Sequence, residues 1–223
     1  MEQHRIAIFD LDGTLVDAYD AIHRALDLTL REMGHPGISY EEARRSVGGG
    51  DLALLSRLVP EEQIQQARTA YRARHIELLG EGARLMPGAR ELLCWLARRK
   101  ILIAAATNRS RTTALPLLSR TGISPLFDLV VTAEDVERLK PDPEQILRIL
   151  SHFSCPPHHA VFVGDMVVDY EAGRRAGVPT IIVLTGSSRR EEFADTGALL
   201  CENLFQVREE IRRRFPARVL ARR

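Results

Sequence analysis

Five short apolar runs, separated by segments with helical periodicity, constrain the fold of this 223-residue chain most strongly. Each run is nearly continuous in apolar residues, which is typical of parallel strands that helices cover on both faces. The runs are RIAIF (5–9), ILIAAAT (101–107), DLVVT (128–132), AVFVG (160–164) and TIIVL (180–184). Helical patterns lie at 88–99, 110–121, 142–152, 168–176 and 203–214. This alternation predicts an α/β fold with a doubly wound parallel sheet.

The interval between the first two runs is too long for a single crossover helix. Residues 16–86 contain no convincing strand and several helical patterns, the first of which is DAYDAIHRALDLTLREMG. We therefore expect a sheet core formed by residues 1–15 and 87–223, and a small helical subdomain formed by residues 16–86.

Composition excludes several classes of protein. Hydrophobic residues make up 45% of the chain and charged residues 27%, as in ordinary globular proteins. A net charge of +1 gives no overall attraction for nucleic acid or membranes, and we interpret the basic end IRRRFPARVLARR (211–223) as a solvated helix end. The widely spaced Cys94, Cys155 and Cys201 argue against a disulfide scaffold and a structural zinc site. No signal-like or membrane-length segment is found, so we expect a cytoplasmic protein.

Two aspartates follow the first apolar run, in FDLDGTL (9–15). Residues i and i+2 of a strand point to the same side, so Asp10 and Asp12 are expected to project together beyond the strand. Buried carboxylates are costly unless a metal ion, a cation or hydrogen-bond donors compensate them. The simpler alternative is a strand closed by an Asx-type turn at Asp12-Gly13. The helical insertion leaves the core just after these acids, so it is expected to overhang them.

Three later strand ends carry further polar groups, at the edge where open α/β sheets bind ligands. Thr107-Asn108 ends the second run and offers a hydroxyl and backbone N–H groups to a phosphate. Lys140 begins KPDP after the third run, and Asp165 ends the fourth, with Asp169 one helical turn further on. Each has a local alternative, because Thr107 and Asp165 could cap helices and Lys140 could be a surface lysine.

Taken jointly, the four strand ends carry the groups that hold an anion and a divalent cation. They predict Mg²⁺ among Asp10, Asp12 and Asp165, together with the Lys140 ammonium. In order, spacing and strand context, these motifs resemble the four motifs of the haloacid dehalogenase superfamily. The resemblance is to its phosphatases, similar to phosphoglycolate phosphatase and β-phosphoglucomutase, and spans roughly residues 5–185. It implies a Rossmann-like catalytic core, a mobile helical cap, Mg²⁺ as cofactor and a small phosphorylated metabolite as substrate.

The resemblance also implies residue roles. Asp10 is the nucleophile that forms an aspartyl-phosphate, and Asp12 is the general acid and base. The Asp10 carboxylate, the Asp12 backbone carbonyl and the Asp165 carboxylate hold the metal, and Asp169 supports Lys140 or a water at the metal. Lys140 and Thr107 stabilise charge during catalysis. The candidate substrate-binding residues are Thr107, Asn108, Lys140, Arg45 and Gly49.

Two positions can be compared with what the branches of the superfamily commonly have there. Asp12 favours phosphate chemistry over dehalogenation, because a halide leaving group needs no proton. Met166 stands where the family commonly has a small polar residue, which affects a minor contact behind the site. The main hypothesis is a phosphatase acting on phosphoglycolate or a sugar phosphate. The alternatives are a sugar-phosphate mutase and a catalytically silent phospholigand-binding protein, and substrate identity and oligomeric state stay open.

The helical insertion carries further candidates with two interpretations each. Gly48-Gly49-Gly50 lacks the Lys-Ser or Lys-Thr of a P-loop, and is either an interhelical turn or a loop that reaches the substrate. We interpret His23 as a surface or interface residue rather than a catalytic base. Arg44 and Arg45 are either solvated helix residues or, together with Arg109 of the core, contacts for a second anionic group such as a carboxylate.

Overall fold

The computed structural model describes residues 4–216 and contains an α/β core with a helical insertion. The strands are β1 (Ile6–Phe9), β2 (Val16–Asp17), β3 (Arg84–Leu85), β4 (Leu102–Ala106), β5 (Leu129–Val131), β6 (Ala160–Gly164), β7 (Thr180–Val183) and β8 (Leu199–Cys201). The helices are α1 (Tyr19–Glu32), α2 (Tyr40–Ser46), α3 (Gly50–Leu55), α4 (Ile64–Gly82), α5 (Ala89–Arg98), α6 (Arg111–Arg120), α7 (Glu144–His152), α8 (Val167–Arg175) and α9 (Leu204–Arg214).

Six of these strands form one parallel sheet in the order β5-β4-β1-β6-β7-β8. Strand β1 lies in the middle, with Ile6 paired to Leu102 of β4 on one side and to Ala160 of β6 on the other. Its four residues are completely buried, which explains why the first run is apolar without interruption. The predicted α/β class and parallel sheet are confirmed.

Helices cover both faces of the sheet. One hydrophobic cluster joins Ala7 and Phe9 of β1 to the apolar sides of α5, α6 and α9. The other joins Ile6 and Ile8 to α7 and α8. Alternate residues of one strand therefore enter two separate layers of core, as expected for a doubly wound sheet.

The insertion leaves and re-enters the core through a two-stranded antiparallel ribbon, in which Val16 pairs with Leu85 and Asp17 with Arg84. Helices α1 to α4 lie between these two strands and share a hydrophobic cluster that includes Leu26, Leu30 and Leu55. We call residues 16–86 the cap segment. The division into a core (1–15 and 87–223) and a cap subdomain (16–86) stays a prediction.

Some elements differ from the sequence-based expectations. The ribbon and β8 were not predicted, and the predicted helices begin one or two residues later or earlier than expected. Arg212 and Arg213, in the last turn of α9, pair with Glu209 and Glu210, whereas residues 217–223 of the basic end lie outside the described residues. Among residues 4–216, no helix has the length and apolar character needed to cross a bilayer.

Candidate active site

The loop after β1 brings two aspartates to the carboxyl edge of the sheet. The Asp10 amide donates to the Val163 carbonyl of β6, so the first aspartate still follows the path of the strand. The chain then turns through Gly13, whose φ of +78° lies in the left-handed region that favours glycine. A side chain at Gly13 would also overlap the Asp165 carboxylate and the Tyr19 hydroxyl. The glycine of FDLDGTL is therefore required by both backbone conformation and space.

Lys140 connects the acids that the motifs predicted. Its ammonium donates to Asp10 Oδ1 over 2.6 Å and to Asp169 Oδ1 over 2.7 Å, and all three residues are buried. The other oxygen of Asp169 accepts from the backbone amides of Asp165 and Met166, over 3.1 and 3.0 Å. Burial opposes the charge on Lys140, but the two carboxylates raise its pKa above the ordinary lysine value. Lys140 therefore stays charged, and Asp169 fixes its position.

Carboxylate oxygens of Asp10, Asp165 and Asp169 lie within 4.8 Å of one another. Asp165 accepts hydrogen bonds from the Thr14 hydroxyl and the Ser187 amide, each over 3.1 Å. Burial raises the pKa of Asp10 to about 7 although Lys140 opposes this, and burial together with the Asp169 charge raises the pKa of Asp165. The cluster therefore contains more carboxylates than one ammonium can keep ionised without a further cation.

A divalent cation fits this cluster. Three ionised carboxylates and one ammonium leave two negative charges, and the donor set consists of oxygen atoms, which Mg²⁺ prefers. Asp169 already accepts hydrogen bonds on both oxygens from Lys140 and two amides, so we assign it to positioning Lys140. The ligand set of Asp10, the Asp12 carbonyl and Asp165 stays a prediction.

Thr107 and Asn108 follow β4 and join three loops. Asn108 donates to the Lys140 carbonyl over 2.9 Å and accepts from the Lys140 amide over 3.0 Å, which fixes the lysine loop to the end of β4. It also donates to the Gly48 carbonyl of the cap segment over 2.7 Å. The Thr107 hydroxyl accepts from the Arg109 amide over 3.2 Å. The glycine run is thus both an interhelical connection and a contact between cap segment and core.

Asp12 is held by an arginine that the motifs did not pair with it. Arg109 donates from Nε to one carboxylate oxygen of Asp12 over 2.9 Å and from Nη2 to the other over 2.5 Å. Its Nη1 lies 3.1 Å from Nε2 of His75 on α4. Burial lowers the pKa of His75 well below the ordinary histidine value, and the charge of Arg109 adds to this. His75 is therefore neutral and accepts a hydrogen bond from Arg109 through Nε2.

Asp10, Asp12 and Asp169 line a cleft of about 80 Å³ between the core and the cap segment. The cap-segment residues that line it include the polar side chains of Tyr19, Asp51, Tyr71 and His75, which the sequence analysis did not identify. Tyr71 and His75 belong to a buried stripe of α4 that also includes Ala67 and Leu79, so residues four apart share this face. That spacing is the sequence signal that could have identified His75 as a buried residue.

Several predicted cap residues lie outside the cleft. Arg45 and Gly49 are exposed and do not line it, whereas their neighbours Gly48 and Gly50 do. Their substrate-binding roles stay predictions. Arg44 donates to the Gly186 carbonyl of the core over 2.6 Å, so it joins the cap segment to the core. His23 is half-buried, and its Nε2 lies 3.0 Å from the Ile38 carbonyl, within the cap segment.

The cationic residues of the chain contain a further signal. Lysine and arginine together number 31, yet lysine occurs at positions 100 and 140 alone. Lys100 is exposed, and Lys140 is buried between two carboxylates. A compact ammonium with three donors suits a site that packs around one point charge, whereas a planar guanidinium does not. Because arginine is the usual cation of this chain, the presence of a lysine in KPDP is itself a sign that Lys140 has a site role, in addition to the motif.

Comparisons with known proteins agree with the fold and with the family that the motifs resemble. Residues 7–183 match the family model described as haloacid dehalogenase-like hydrolase. The phosphoglycolate phosphatase of Nitrosococcus oceani is 28% identical over 204 residues, which cover 88% of this chain and 91% of that protein. CbbY from Rhodobacter sphaeroides, solved in complex with phosphate, is 26% identical with a TM-score of 0.83, covering 92% of this chain and 96% of that one. A phosphoglycolate phosphatase structure from Haemophilus somnus, described as predicted for that activity, has a TM-score of 0.88 at 22% identity, covers 95% and 99% of the two chains, and supports the fold alone.

Proposed function

This chain belongs to the haloacid dehalogenase-like hydrolase family, and on that premise we propose that it hydrolyses a small phosphomonoester with the help of Mg²⁺. Within the family it is a phosphatase similar to the phosphoglycolate phosphatases. The proposed substrates are of the phosphoglycolate or sugar-phosphate type, and the proposed intermediate is an aspartyl-phosphate on Asp10.

The observation that carries this proposal is the buried contact of Lys140 with Asp10. A carboxylate acts as a nucleophile only when it is ionised and aimed at the phosphorus atom. The ammonium lies 2.6 Å from Asp10 Oδ1 and favours the ionised form, while burial would otherwise protonate it. Because Asp169 holds the ammonium from its other side, the charge of Lys140 stays directed at the nucleophile.

In the first step, an oxygen of Asp10 forms a bond to phosphorus as the bond from phosphorus to the ester oxygen breaks. Asp12 gives its proton to the departing oxygen, so that an alcohol leaves rather than an alkoxide. In the second step, water attacks the phosphorus of the aspartyl-phosphate and passes a proton to Asp12. Inorganic phosphate leaves, and Asp10 is restored as a carboxylate.

General acid–base catalysis supplies roughly 10² to 10⁴ of rate acceleration, while phosphate monoester hydrolysis needs up to ~10²¹. Positioning and charge stabilisation must therefore supply most of the effect. Lys140, the Thr107 hydroxyl and the amides that follow β4 are the groups proposed to bind the phosphoryl oxygens. The residues proposed to hold Mg²⁺ are Asp10, Asp165 and the carbonyl of Asp12. When bound, the ion supplies positive charge against the oxygens of the transferred group.

Phosphate release from a panel of small phosphomonoesters tests the proposal, with phosphoglycolate and sugar phosphates included. Wild type is expected to release phosphate with Mg²⁺ and not with chelator, and Asp10→Asn is expected to be inactive while folded. Asp20→Asn, which changes an exposed aspartate of α1, is the matched control. No release from folded wild type with Mg²⁺ across the panel would contradict the proposal. Transfer of phosphate between positions of one sugar would instead identify a mutase.

A further inference from the structure

Arg109 occupies both carboxylate oxygens of Asp12. The two hydrogen bonds, over 2.9 and 2.5 Å, form the bidentate pair that a guanidinium makes with a planar carboxylate. Arg109 is buried, with 8% of its surface exposed, so water does not readily replace either partner. In this arrangement each oxygen of Asp12 already accepts a hydrogen bond from Arg109, and the guanidinium fixes the direction in which the carboxylate faces. The proposed acid–base role requires Asp12 to turn from Arg109 toward the ester oxygen, and Arg109 must then exchange Asp12 for another acceptor.

The position of Arg109 identifies the part of the substrate that can provide this acceptor. Among the described residues 4–216, Arg109 and Lys140 are the cationic side chains that line the cleft. Lys140 is already bound by Asp10 and Asp169 and faces the phosphoryl side. Arg109 contacts the proposed acid instead, so it lies beside the place of the ester oxygen. A group a few atoms beyond that oxygen can reach the guanidinium.

His75 adds a second donor next to Arg109. Because Nε2 accepts from Arg109, the proton of the neutral imidazole is on Nδ1. This Nδ1 is buried and has no hydrogen-bond partner among the residues that the structure describes. A buried donor without an acceptor costs free energy, and a ligand oxygen would remove that cost. Arg109 and His75 both line the cleft, to which Arg109 brings a positive charge and His75 a donor without a partner.

We propose that the leaving group of the substrate carries a carboxylate that binds Arg109 in place of Asp12, and that this exchange frees Asp12 for acid–base catalysis. The inference rests on the proposed phosphatase function. A carboxylate is favoured over a second phosphate because the guanidinium already binds a planar carboxylate bidentately at this place, and the anion of the leaving group would take that place. Arg109 is then the residue that determines specificity, and substrates without the second anion leave Asp12 bound.

Two substrates of nearly equal size test this inference: phosphoglycolate and its carboxamide, in which CONH₂ replaces the carboxylate. Wild type is expected to prefer phosphoglycolate in kcat/KM by about 100-fold or more, with part of the preference in kcat because Asp12 is released only by the anion. Arg109→Gln is expected to reduce the preference to below about tenfold, chiefly through lost activity on phosphoglycolate. Arg109→Lys keeps the positive charge but cannot bind a carboxylate bidentately, so its preference for phosphoglycolate is expected to lie between those of wild type and Arg109→Gln.

Arg111→Gln is the matched control, because Arg111 begins α6, is about half exposed and pairs with Asp135 outside the cleft. It is expected to keep the wild-type preference. Equal losses on both substrates in Arg109→Gln and Arg109→Lys would overturn the inference, since they would mean a structural role. A wild type that hydrolyses both substrates equally would also overturn it and leave the phosphatase function standing. A wild type inactive on the whole phosphomonoester panel would instead refute the proposed function.

Discussion

The two sides of the cleft are built differently. On the core side, Asp10 and Asp165 directly follow buried strands, and Lys140, in the loop after β5, joins Asp10 to Asp169 of α8. On the cap side, the residues reach the core through a few separate contacts, such as His75 with Arg109 and Gly48 with Asn108. These four core-side residues are therefore suited to a fixed reaction, and the contacts between core and cap segment, Arg109 included, to selecting what reaches it. Substitutions among the four should lower kcat, and those at the contacts should mainly change KM and substrate preference.

The largest effect is expected for Lys140→Met. This variant removes the positive charge beside the nucleophile, and kcat is expected to fall by about 10² to 10³ or more. It also leaves three buried carboxylates without their cation, which should lower the free energy of unfolding by roughly 3–5 kcal/mol. Mg²⁺ is expected to restore part of that stability. Steady-state kinetics and thermal unfolding with and without Mg²⁺ measure both effects.

Lys100→Met is the control for that experiment, because Lys100 is exposed and is the other lysine of the chain. It should change neither kcat nor stability appreciably. A Lys140→Met enzyme with kcat within about threefold of wild type would remove Lys140 from the charge stabilisation that we assign to it.

A second prediction concerns the pH dependence of metal binding on the core side. The pKa of Asp10 is raised to about 7 by burial, and that of Asp165 is also raised. At lower pH the folded, metal-free protein holds protons that Mg²⁺ must displace, so the association constant should increase with pH. The association constant should increase by up to about tenfold per pH unit for each proton displaced. The increase that comes from Asp10 should level off above about pH 7.

Calorimetric titration in buffers of different ionisation enthalpy counts the released protons directly. The raised carboxyl pKa values also make the metal-free protein less stable as pH increases toward neutrality, so the gain in Tm from Mg²⁺ should grow over the same range. Asp20→Asn, on the exposed face of α1, should retain this behaviour. Mg²⁺ affinity that is independent of pH, without proton release, would mean that the ion binds elsewhere.

The smallest effect is expected on the cap side. Glu134 of the core accepts from Arg72 of α4 over 3.0 Å, and both side chains are partly exposed. Such a pair contributes about 0–1 kcal/mol, so Glu134→Gln should raise KM by no more than about fivefold and leave kcat nearly unchanged. Glu81→Gln breaks a pair with Arg24 inside the cap segment and should change neither constant. A fall in kcat for Glu134→Gln with KM unchanged would contradict the division between the two sides.

Two acids of the core side were predictable from the sequence because they directly follow strands. Once 5–9 and 160–164 were recognised as buried strands, Asp10 and Asp165 had to lie at one edge of the sheet. Strand β8 was missed because its three apolar residues form too short a run to indicate a strand, and Leu199 is exposed. The ribbon strands have two residues each, too few for any periodicity.

The cap side was harder to predict because its contacts depend on helix rotation and tertiary packing. In the seven-residue α2, the structure buries Ala43 alone, and one residue decides whether an arginine meets the core or solvent. Arg44 contacts Gly186 and Arg45 does not, although the sequence treats them alike. The pairing of Arg109 with Asp12 joins residues 97 positions apart and has no local signal.

The most direct test of the account is detection of the covalent intermediate. Wild type with Mg²⁺ and phosphoglycolate, or the best substrate of the panel, is quenched in acid within its first turnover and the peptide containing Asp10 is examined by mass spectrometry. The account predicts that this peptide gains one acid-stable, hydroxylamine-sensitive phosphoryl group on Asp10, and that Asp10→Asn gains none. Phosphate release by wild type without any phosphoryl group on Asp10 at early times, or with the group on another residue, would contradict the account.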